Sequence, residues 1–249
     1  MSMEDREIEL LYDSSIFEKD LKSCGIQLTR RQIRQFQDYY EMLVETNKVM
    51  NLTGITEFHE VMKKHFVDSV LLNRVVDIKS IRTVMDVGTG AGFPGIPLKI
   101  VYPHLKVVLL DSLNKRISFL GQVVDNLGLK DVTLIHGRAE DYARDVQYRQ
   151  QFELCVSRAV ANLALLSEYC IPYVKRNGCF VAYKSGEIEE EVAAAGKAVG
   201  VLGGKIEKNE KLLLPDTDIS RSFVVIRKIK DTPKVYPRKA GIPKKDPIM

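Results

Sequence analysis

The stretch Val84-Met-Asp-Val-Gly-Thr-Gly-Ala-Gly-Phe-Pro-Gly95 decides the fold of this chain. It begins as a short apolar strand, passes through three alternating glycines and ends at the start of a helix. Glycines are needed where a buried strand turns tightly and its backbone lies against a ligand, because a β-carbon would block that approach. The pattern therefore predicts a nucleotide-type cofactor cradle, with Gly88, Gly90 and Gly92 forming its turn.

The residues around this turn indicate which cofactor it holds. The glycine spacing is G-x-G-x-G, whereas the dinucleotide fingerprint is G-x-G-x-x-G and opens a longer regular helix. Pro94 and Pro97 crowd the helix start, and the next apolar run ends in Asp111, which is placed to accept hydrogen bonds from ribose hydroxyls. These features favour S-adenosylmethionine, which has no phosphate to neutralise. An NAD-dependent oxidoreductase is the alternative for a glycine-rich turn.

Composition limits the classes to which the protein can belong. Its 249 residues, 45% of them hydrophobic, suffice to bury the core of an α/β domain. The four cysteines show no paired spacing and have no histidines nearby, so neither a metal site nor a disulfide framework is predicted. The acidic start lacks the apolar core of a signal peptide, and no run reaches the length of a membrane span. We expect a cytoplasmic protein with no membrane partner, acting as a monomer.

The order of predicted elements places a helical extension before an α/β domain. Residues 1–80 have helical patterns, including a helix that Thr29 and Gln32 open with a capping box and a later one whose apolar face includes His65. Residues 81–230 alternate strands with helices, and residues 231–249 form a basic, proline-containing tail. The predicted strands are 82–87, 107–110, 132–135, 152–157, 179–183, 206–214 and 223–229. The last two lie too close together for a helical crossover, which predicts an antiparallel hairpin. This is the plan of a class I S-adenosylmethionine-dependent methyltransferase, a Rossmann-like, seven-stranded and mostly parallel sheet.

Positive charge is concentrated at the end of the chain. From Arg227 onward there are eight Lys or Arg and two Asp, although the net charge of the whole chain is only +4. Residues 234–247 interleave cations with an aromatic and three prolines, which predicts an extended arm with its side chains splayed outward. Nucleic-acid phosphates are a natural partner, although a solvated terminus or helix end would carry the same charges. The RNA-binding candidates are Arg30, Arg31, Arg34, Arg238, Lys239, Lys244 and Lys245.

Ligands of an open parallel sheet bind beyond the carboxyl ends of its strands, so the residues that follow each strand are the candidate site. Arg158 and Lys184, at the ends of the fourth and fifth strands, are the candidates for a direct role in catalysis. Arg158 could equally form a structural ion pair with an acid at this edge. A histidine on an apolar helix face, such as His65, is more often a hydrogen-bonded core residue than a base. The cofactor-binding candidates are Gly88, Gly90, Gly92, Phe93, Asp111, Ser112, Ala139, Glu140 and Arg158.

Several strings of the sequence resemble one bacterial family. MDVGTGAGFPGIPLKI, DSLNKRISFL, GRAED, SRAVANL and the tail YPRKAGIPKKDP are similar to the small-subunit ribosomal RNA methyltransferase G family, also called glucose-inhibited division protein B. The NLTGIT and KHFVDS segments share this resemblance. It implies methyl transfer from S-adenosylmethionine to N7 of a guanine in 16S ribosomal RNA, around nucleotide 527, in the RNA or in the small ribosomal subunit. It also implies cofactor contacts at Gly88, Phe93, Ala139, Glu140 and Arg158.

The implied reaction agrees with the residues. Guanine N7 carries an unprotonated lone pair that can attack a methyl group directly, so no dedicated base is needed and catalysis would depend on proximity. The loop after the fourth strand lacks the Asn/Asp-Pro-Pro-aromatic motif of amino-group methyltransferases. An RNA-binding assembly factor that keeps this fold without catalysis is a further alternative.

Overall fold

A seven-stranded sheet organises the structure, a computed structural model that describes residues 12–158 and 161–248. The acidic start of the chain and two residues of the SRAVANL string lie outside the described residues. The strands are β1 Thr83–Val87, β2 Lys106–Asp111, β3 Val132–His136, β4 Phe152–Arg158, β5 Val174–Ser185, β6 Gly204–Leu213 and β7 Ser220–Lys228. Their order is β3-β2-β1-β4-β5-β7-β6, with the first five parallel and β7 antiparallel to both of its neighbours. The predicted fold and its terminal hairpin are confirmed.

Strand β5 is longer than predicted because its first half is polar. The strand begins at Val174, which pairs with Phe152 of β4. The polar run Lys175-Arg176-Asn177 that follows does not show the apolar pattern of a strand. Asn177 has a φ of 64°, and the pairing with β4 shifts register between Phe152 and Leu154. A β-bulge of this kind interrupts the alternation of apolar and polar residues on which strand prediction depends.

Helices connect the strands and cover both faces of the sheet. They are α5 Gly95–Val101, α6 Asn114–Asn126, α7 Ala139–Tyr142, α8 Leu163–Cys170 and α9 Glu189–Val201. The reversal of strand order between β1 and β4 creates a topological switch point at the carboxyl edge of the sheet. Open α/β sheets bind their ligands at such a point.

Helices before the sheet include α1 Ser15–Ser23, α2 Arg30–Met50, α3 Phe58–Val61 and α4 Asp68–Val70. The predicted capping box is present, with the side chain of Thr29 accepting from the backbone N–H of Gln32. Between α3 and α4 the chain forms a π-helical segment, Met62–Val67, and such segments are frequent at functional sites.

An aromatic cluster joins these helices to the glycine turn. Tyr39 and Phe36 of α2 contact Phe66, and both Tyr39 and Phe66 pack near the ring of Phe93. All four rings belong to one buried cluster that continues under the sheet. The helices before residue 81 therefore share a core with the sheet, and the division of the chain at residues 80 and 230 stays a prediction.

The basic tail is folded against the α/β domain, so the prediction of an extended arm with outward side chains is wrong. The guanidinium of Arg238 binds both carboxylate oxygens of the buried Glu168 on α8, the shorter contact being 2.7 Å. Arg149 donates to the carbonyls of Thr232 and Tyr236, both at 2.8 Å. A buried carboxylate requires a cationic partner. Glu168 of α8 therefore holds the tail through Arg238, and the composition of the tail alone does not indicate this contact.

A search of the described residues finds no helix that is long and apolar enough to cross a membrane. The same part of the chain holds no group of His, Cys, Asp or Glu arranged to bind a metal.

Candidate cofactor and acceptor site

The glycine turn after β1 has one face open and one face packed. Gly88, Gly90 and Gly92 all have positive φ, at 71°, 61° and 104°. A Cβ built on Gly90 would meet no atom within 4 Å, whereas a Cβ on Gly92 would lie 2.5 Å from Tyr39 Oη. Gly88 and Gly90 line a cavity, while Gly92 lies behind the turn against the core. The turn thus leaves backbone bare on the side where a ligand would lie.

Asp86 holds the turn from below. Its Oδ2 accepts from the Thr89 hydroxyl at 2.7 Å and from the Gly95 backbone N–H at 2.9 Å. Complete burial raises the pKa of Asp86 to about 7, despite these two bonds, which act in the opposite direction. The Oδ1 atom has no partner in the described part of the chain. Burial without a partner for Oδ1 disfavours the charged carboxylate, which is the cause of the raised pKa.

Three adjoining cavities open along the carboxyl edge of the sheet. The central cavity, about 420 Å³, includes Gly88, Gly90, Asp111 and Arg158 in its lining. The β3-side cavity, about 110 Å³, shares Gly88, Asp111 and Ser112 with it. The β5-side cavity, about 580 Å³, shares His65 and Arg158 with the central one. The central and the β5-side cavities are each within the range of about 300–1,000 Å³ that is usual for ligand pockets.

Asp111 lies between the central and the β3-side cavities. Its Oδ2 accepts from the Gly90 backbone N–H at 2.9 Å, and its Oδ1 accepts from Leu113 N–H at 2.9 Å. Arg116 makes an ion pair with it at 3.3 Å. An ionised carboxylate has about four acceptor positions, so Asp111 retains capacity for a ligand hydroxyl. The neighbouring Ser112 lines both cavities.

Arg158 connects the central cavity with the β5-side cavity. Its Nη1 donates to Asp68 Oδ2 at 2.8 Å, and its guanidinium carbon lies 4.8 Å from the centroid of the Phe93 ring. Asp68, which is buried, also accepts from Arg221 Nε at 2.8 Å. The predicted alternative of an ion pair is therefore realised, but its acid comes from α4 rather than from the sheet edge.

His65 is held neutral beside this cluster. Arg158 Nη2 lies 3.3 Å from His65 Nδ1, and because a guanidinium can only donate, Nδ1 is the acceptor. The proton then resides on Nε2, which donates to Thr53 Oγ1 at 2.8 Å. Burial, together with the charge of Arg158, lowers the pKa of His65 to about 3. Its ring stacks on Phe93 with centroids 4.7 Å apart, so it is a hydrogen-bonded core residue that also lines both cavities.

Lys184 lines the β5-side cavity. Its Nζ donates to Glu191 Oε1 and to the Ala161 carbonyl, both at 2.6 Å. The same Glu191 oxygen accepts from the backbone N–H of Leu163 at the start of α8. Lys184 is not a lining residue of the central cavity.

The β3-side cavity is where the tail meets the sheet. Ala139 and Glu140 line it with Tyr169. Glu140 is buried, and its Oε1 accepts from the backbone N–H of Gly241 at 3.0 Å. The fold of the tail therefore holds the loop that carries these two candidate residues.

The RNA-binding candidates are separated by the fold. Arg30 and Arg31 are exposed and Arg34 pairs with Asp38 at 3.2 Å, at the start of α2. Gln32 beside them donates to the carbonyl of Ile100, at the amino edge of the sheet and opposite the three cavities. Lys239, Lys244 and Lys245 are exposed on the tail, near the β3-side cavity, while Arg238 is engaged with Glu168.

Sequence reasoning missed several residues of the β5-side cavity. Asp68 follows His65 by one helical turn, within the KHFVDS string, and this spacing is a signal that could have found it. Arg221 and Glu191 carry no such signal because they come from the terminal hairpin and from α9. Arg116 stands within the DSLNKR string, five residues after Asp111.

Comparisons with known proteins agree on one family. The family model described as rRNA small subunit methyltransferase G matches residues 32–222. Ribosomal RNA small subunit methyltransferase G of Lachnoclostridium phytofermentans is 52% identical over 95% of this chain and 98% of its own length. The protein of the same name from Brevibacillus brevis is 50% identical over 94% of this chain and 98% of its own length. A variant of MtNAS solved in complex with S-adenosylmethionine shares the fold, with a TM-score of 0.52, 16% identity and coverage of 87% of this chain and 77% of its own. The chain therefore belongs to the rRNA small subunit methyltransferase G family.

Proposed function

We propose that this protein transfers the methyl group of S-adenosylmethionine to N7 of a guanine in 16S ribosomal RNA, in the loop around nucleotide 527. The observation that carries the proposal is the pair of connected cavities at the switch point, which meet at Arg158 and His65. One suits the cofactor and the other suits a planar base. Family membership supports ribosomal RNA as the acceptor.

The residues of the central cavity fit S-adenosylmethionine. Gly88 and Gly90 offer bare backbone, and a Cβ on Gly90 would enter the space that the ligand needs. Asp111 retains acceptor capacity for ribose hydroxyls, and Ala139 with Glu140 lines the smaller cavity that suits the adenine ring. When bound, the cofactor supplies an electrophilic methyl group on a sulfonium. Arg158 and Phe93 line this cavity, and Arg158 also lines the β5-side cavity.

The β5-side cavity suits an acceptor that needs no deprotonation. His65 cannot take up a proton near neutral pH, because its pKa is about 3. Asp68 is occupied by two arginines, and Lys184 is paired with Glu191. Guanine N7 has a free lone pair and no proton, so these residues need only hold the base in line with the methyl group. An exocyclic amine would require a proton acceptor as the reaction proceeds.

Recognition of the RNA requires that one base leave its stack. Sequence-specific RNA recognition targets loops whose bases can be splayed into a pocket. The exposed Lys239, Lys244 and Lys245 flank the cofactor side of the edge and would hold phosphates there. Arg30 and Arg31 lie at the opposite edge of the sheet, so they would contact a different part of the substrate.

The test is to map N7-methylguanine in 16S ribosomal RNA from cells with and without the protein. We expect one mark near nucleotide 527 to be lost with the gene and restored by purified protein with S-adenosylmethionine. An unchanged methylation map would refute the proposal. Restored ribosome assembly without any methyl transfer would favour a non-catalytic assembly factor.

Calorimetry tests the cofactor separately. We expect S-adenosylhomocysteine to bind the purified protein and NAD not to bind. Binding of NAD without binding of S-adenosylhomocysteine would favour the alternative interpretation of the glycine turn, an NAD-dependent oxidoreductase.

A further inference from the structure

We propose that Lys184 and Glu191 recognise the edge of the acceptor guanine that carries O6, N1–H and the N2 amino group. The proposal rests on the proposed function, since it assigns the chemistry of the β5-side cavity to a guanine. Both side chains line this cavity, and neither lines the central one.

The pair has unused hydrogen-bonding capacity on both members. Lys184 Nζ has three protons, of which two are used by Glu191 Oε1 and the Ala161 carbonyl. Glu191 Oε1 accepts from Lys184 and from Leu163 N–H, whereas its Oε2 has no hydrogen-bond partner among residues 12–158 and 161–248. A half-buried carboxylate oxygen in a cavity is an acceptor that a ligand donor can satisfy.

An adjacent ammonium and carboxylate match one nucleobase edge. Guanine presents the O6 acceptor next to two donors, N1–H and the N2 amino group. The free proton of Lys184 can be donated to O6, while Glu191 Oε2 accepts from the N2 amino group and faces N1–H. Adenine presents an unprotonated N1 at the corresponding position, whose lone pair would face the carboxylate. A site built for polar groups rejects an analogue that leaves them unpaired.

This orientation directs N7 toward the cofactor. On a purine, N7 lies on the side of the ring away from the N2 amino group. Arg158 and His65 form the boundary with the central cavity, while Lys184 and Glu191 belong only to the β5-side cavity. A guanine held by its O6–N1–N2 edge at Lys184 and Glu191 leaves N7 free of both side chains and available to the methyl group at this boundary.

The test compares two 16S ribosomal RNAs that carry either guanosine or inosine at the target position. Each RNA is made from fragments by splinted ligation and is then assembled into small subunits. Inosine lacks only the N2 amino group. We expect the wild-type protein to prefer guanosine by roughly 10- to 100-fold in kcat/KM, the usual worth of a hydrogen bond to a charged group. In Glu191→Gln an NH2 group of the side chain would replace Oε2 and face the guanine amino group, so that two donors meet. We therefore expect the ratio of kcat/KM for guanosine to that for inosine to fall to near one.

Two further variants act as controls. Glu190→Gln changes an exposed neighbour on α9 that lines no cavity described above, and it should keep the wild-type preference. Lys184→Met should slow both substrates by the same factor, because both bases keep O6. Affinity for S-adenosylhomocysteine should stay unchanged in all three variants. Guanosine and inosine also differ in the intrinsic reactivity of N7. This difference is the same for every variant, so it cancels when the ratio of kcat/KM for the two substrates is compared between variants.

The outcomes separate this proposal from the proposed function. If the wild-type protein methylates both RNAs at equal rates, or if Glu191→Gln keeps the full preference for guanosine, the assignment of Glu191 is wrong while the methyltransfer proposal stands. If the wild-type protein methylates neither RNA, the proposed function itself fails. The wild-type comparison needs no substitution, so equal rates with the two RNAs would overturn the assignment even if a variant does not fold.

Discussion

Alanine at Gly90 and at Gly92 should have opposite consequences, although both glycines have positive φ. A non-glycine residue in the left-handed region costs about 1–2 kcal/mol, partly offset by about 0.4–1 kcal/mol of lost freedom in the unfolded chain. At Gly90 the new methyl group meets no protein atom within 4 Å. We therefore expect Gly90→Ala to lower the free energy of unfolding by only about 1 kcal/mol, while its methyl group enters the central cavity.

At Gly92 the methyl group has no free space. It would lie 2.5 Å from Tyr39 Oη, 2.8 Å from Ile96 Cγ1 and 2.9 Å from Leu120 Cδ2, and all three side chains are buried. Overpacking of this kind costs about 1–3 kcal/mol in addition to the backbone strain. We expect Gly92→Ala to lower the free energy of unfolding by about 2–4 kcal/mol.

Urea unfolding and calorimetry with S-adenosylhomocysteine separate the two effects. Gly90→Ala should weaken binding at least about tenfold, which corresponds to about 1.4 kcal/mol. Folded Gly92→Ala should bind within a few-fold of the wild type. Gly196→Ala, on an exposed position of α9 with no atom near the new Cβ, is the matched control and should stabilise slightly. Equal losses of stability in the first two variants, or wild-type affinity in Gly90→Ala, would refute the assignment of one open and one packed face.

Three further predictions test the supports of the site. Asp68→Asn should lower the free energy of unfolding by about 3–5 kcal/mol, because two arginines lose their carboxylate partner. Arg221→Gln should lower it by less, since Asp68 still pairs with Arg158. Urea unfolding measures both losses. The raised pKa of Asp86, about 7 in the folded protein, stabilises the fold at low pH, and this contribution is lost as pH rises from about 4 to about 7. The free energy of unfolding of the wild type, relative to Asp86→Asn, should therefore rise as pH falls through this range, by at most about 1.4 kcal/mol per pH unit; a flat difference would contradict a protonated Asp86. Arg238→Ala should cost about 3 kcal/mol and make the chain after residue 231 sensitive to protease, and an unchanged digestion pattern would contradict the docked tail.

The fold, and the grouping of Gly88, Gly90 and Asp111 around one cavity, were largely predictable because their signals are local. The strand, glycine turn and helix start at residues 84–95 are contiguous, and Asp111 ends the next apolar run. The capping box at Thr29 and the short link between the last two strands are local in the same sense. The first half of β5 was missed because a bulge and polar residues interrupt its pattern.

The β5-side cavity was predictable only at Arg158 and Lys184, which follow strands, because its other charged residues meet them only in the folded chain. Arg158, Asp68 and Arg221 come from β4, α4 and β7, and no spacing along the sequence relates them. The folded conformation of the tail was not predictable for the same reason. Its charge and prolines indicated an extended arm, but the buried Glu168 of a distant helix recruits Arg238 and folds the segment back.

The sequence by itself determined the order of strands and helices along the chain, the glycine-rich turn and the family, since backbone conformation and apolar periodicity depend on residues that are close together in the chain. Only the tertiary structure decided which glycine faces a cavity, which acid neutralises Arg158 and where Lys184 and Glu191 meet. The physical reason is burial: a charged group removed from water must find its partner in space, and that partner can lie anywhere along the chain.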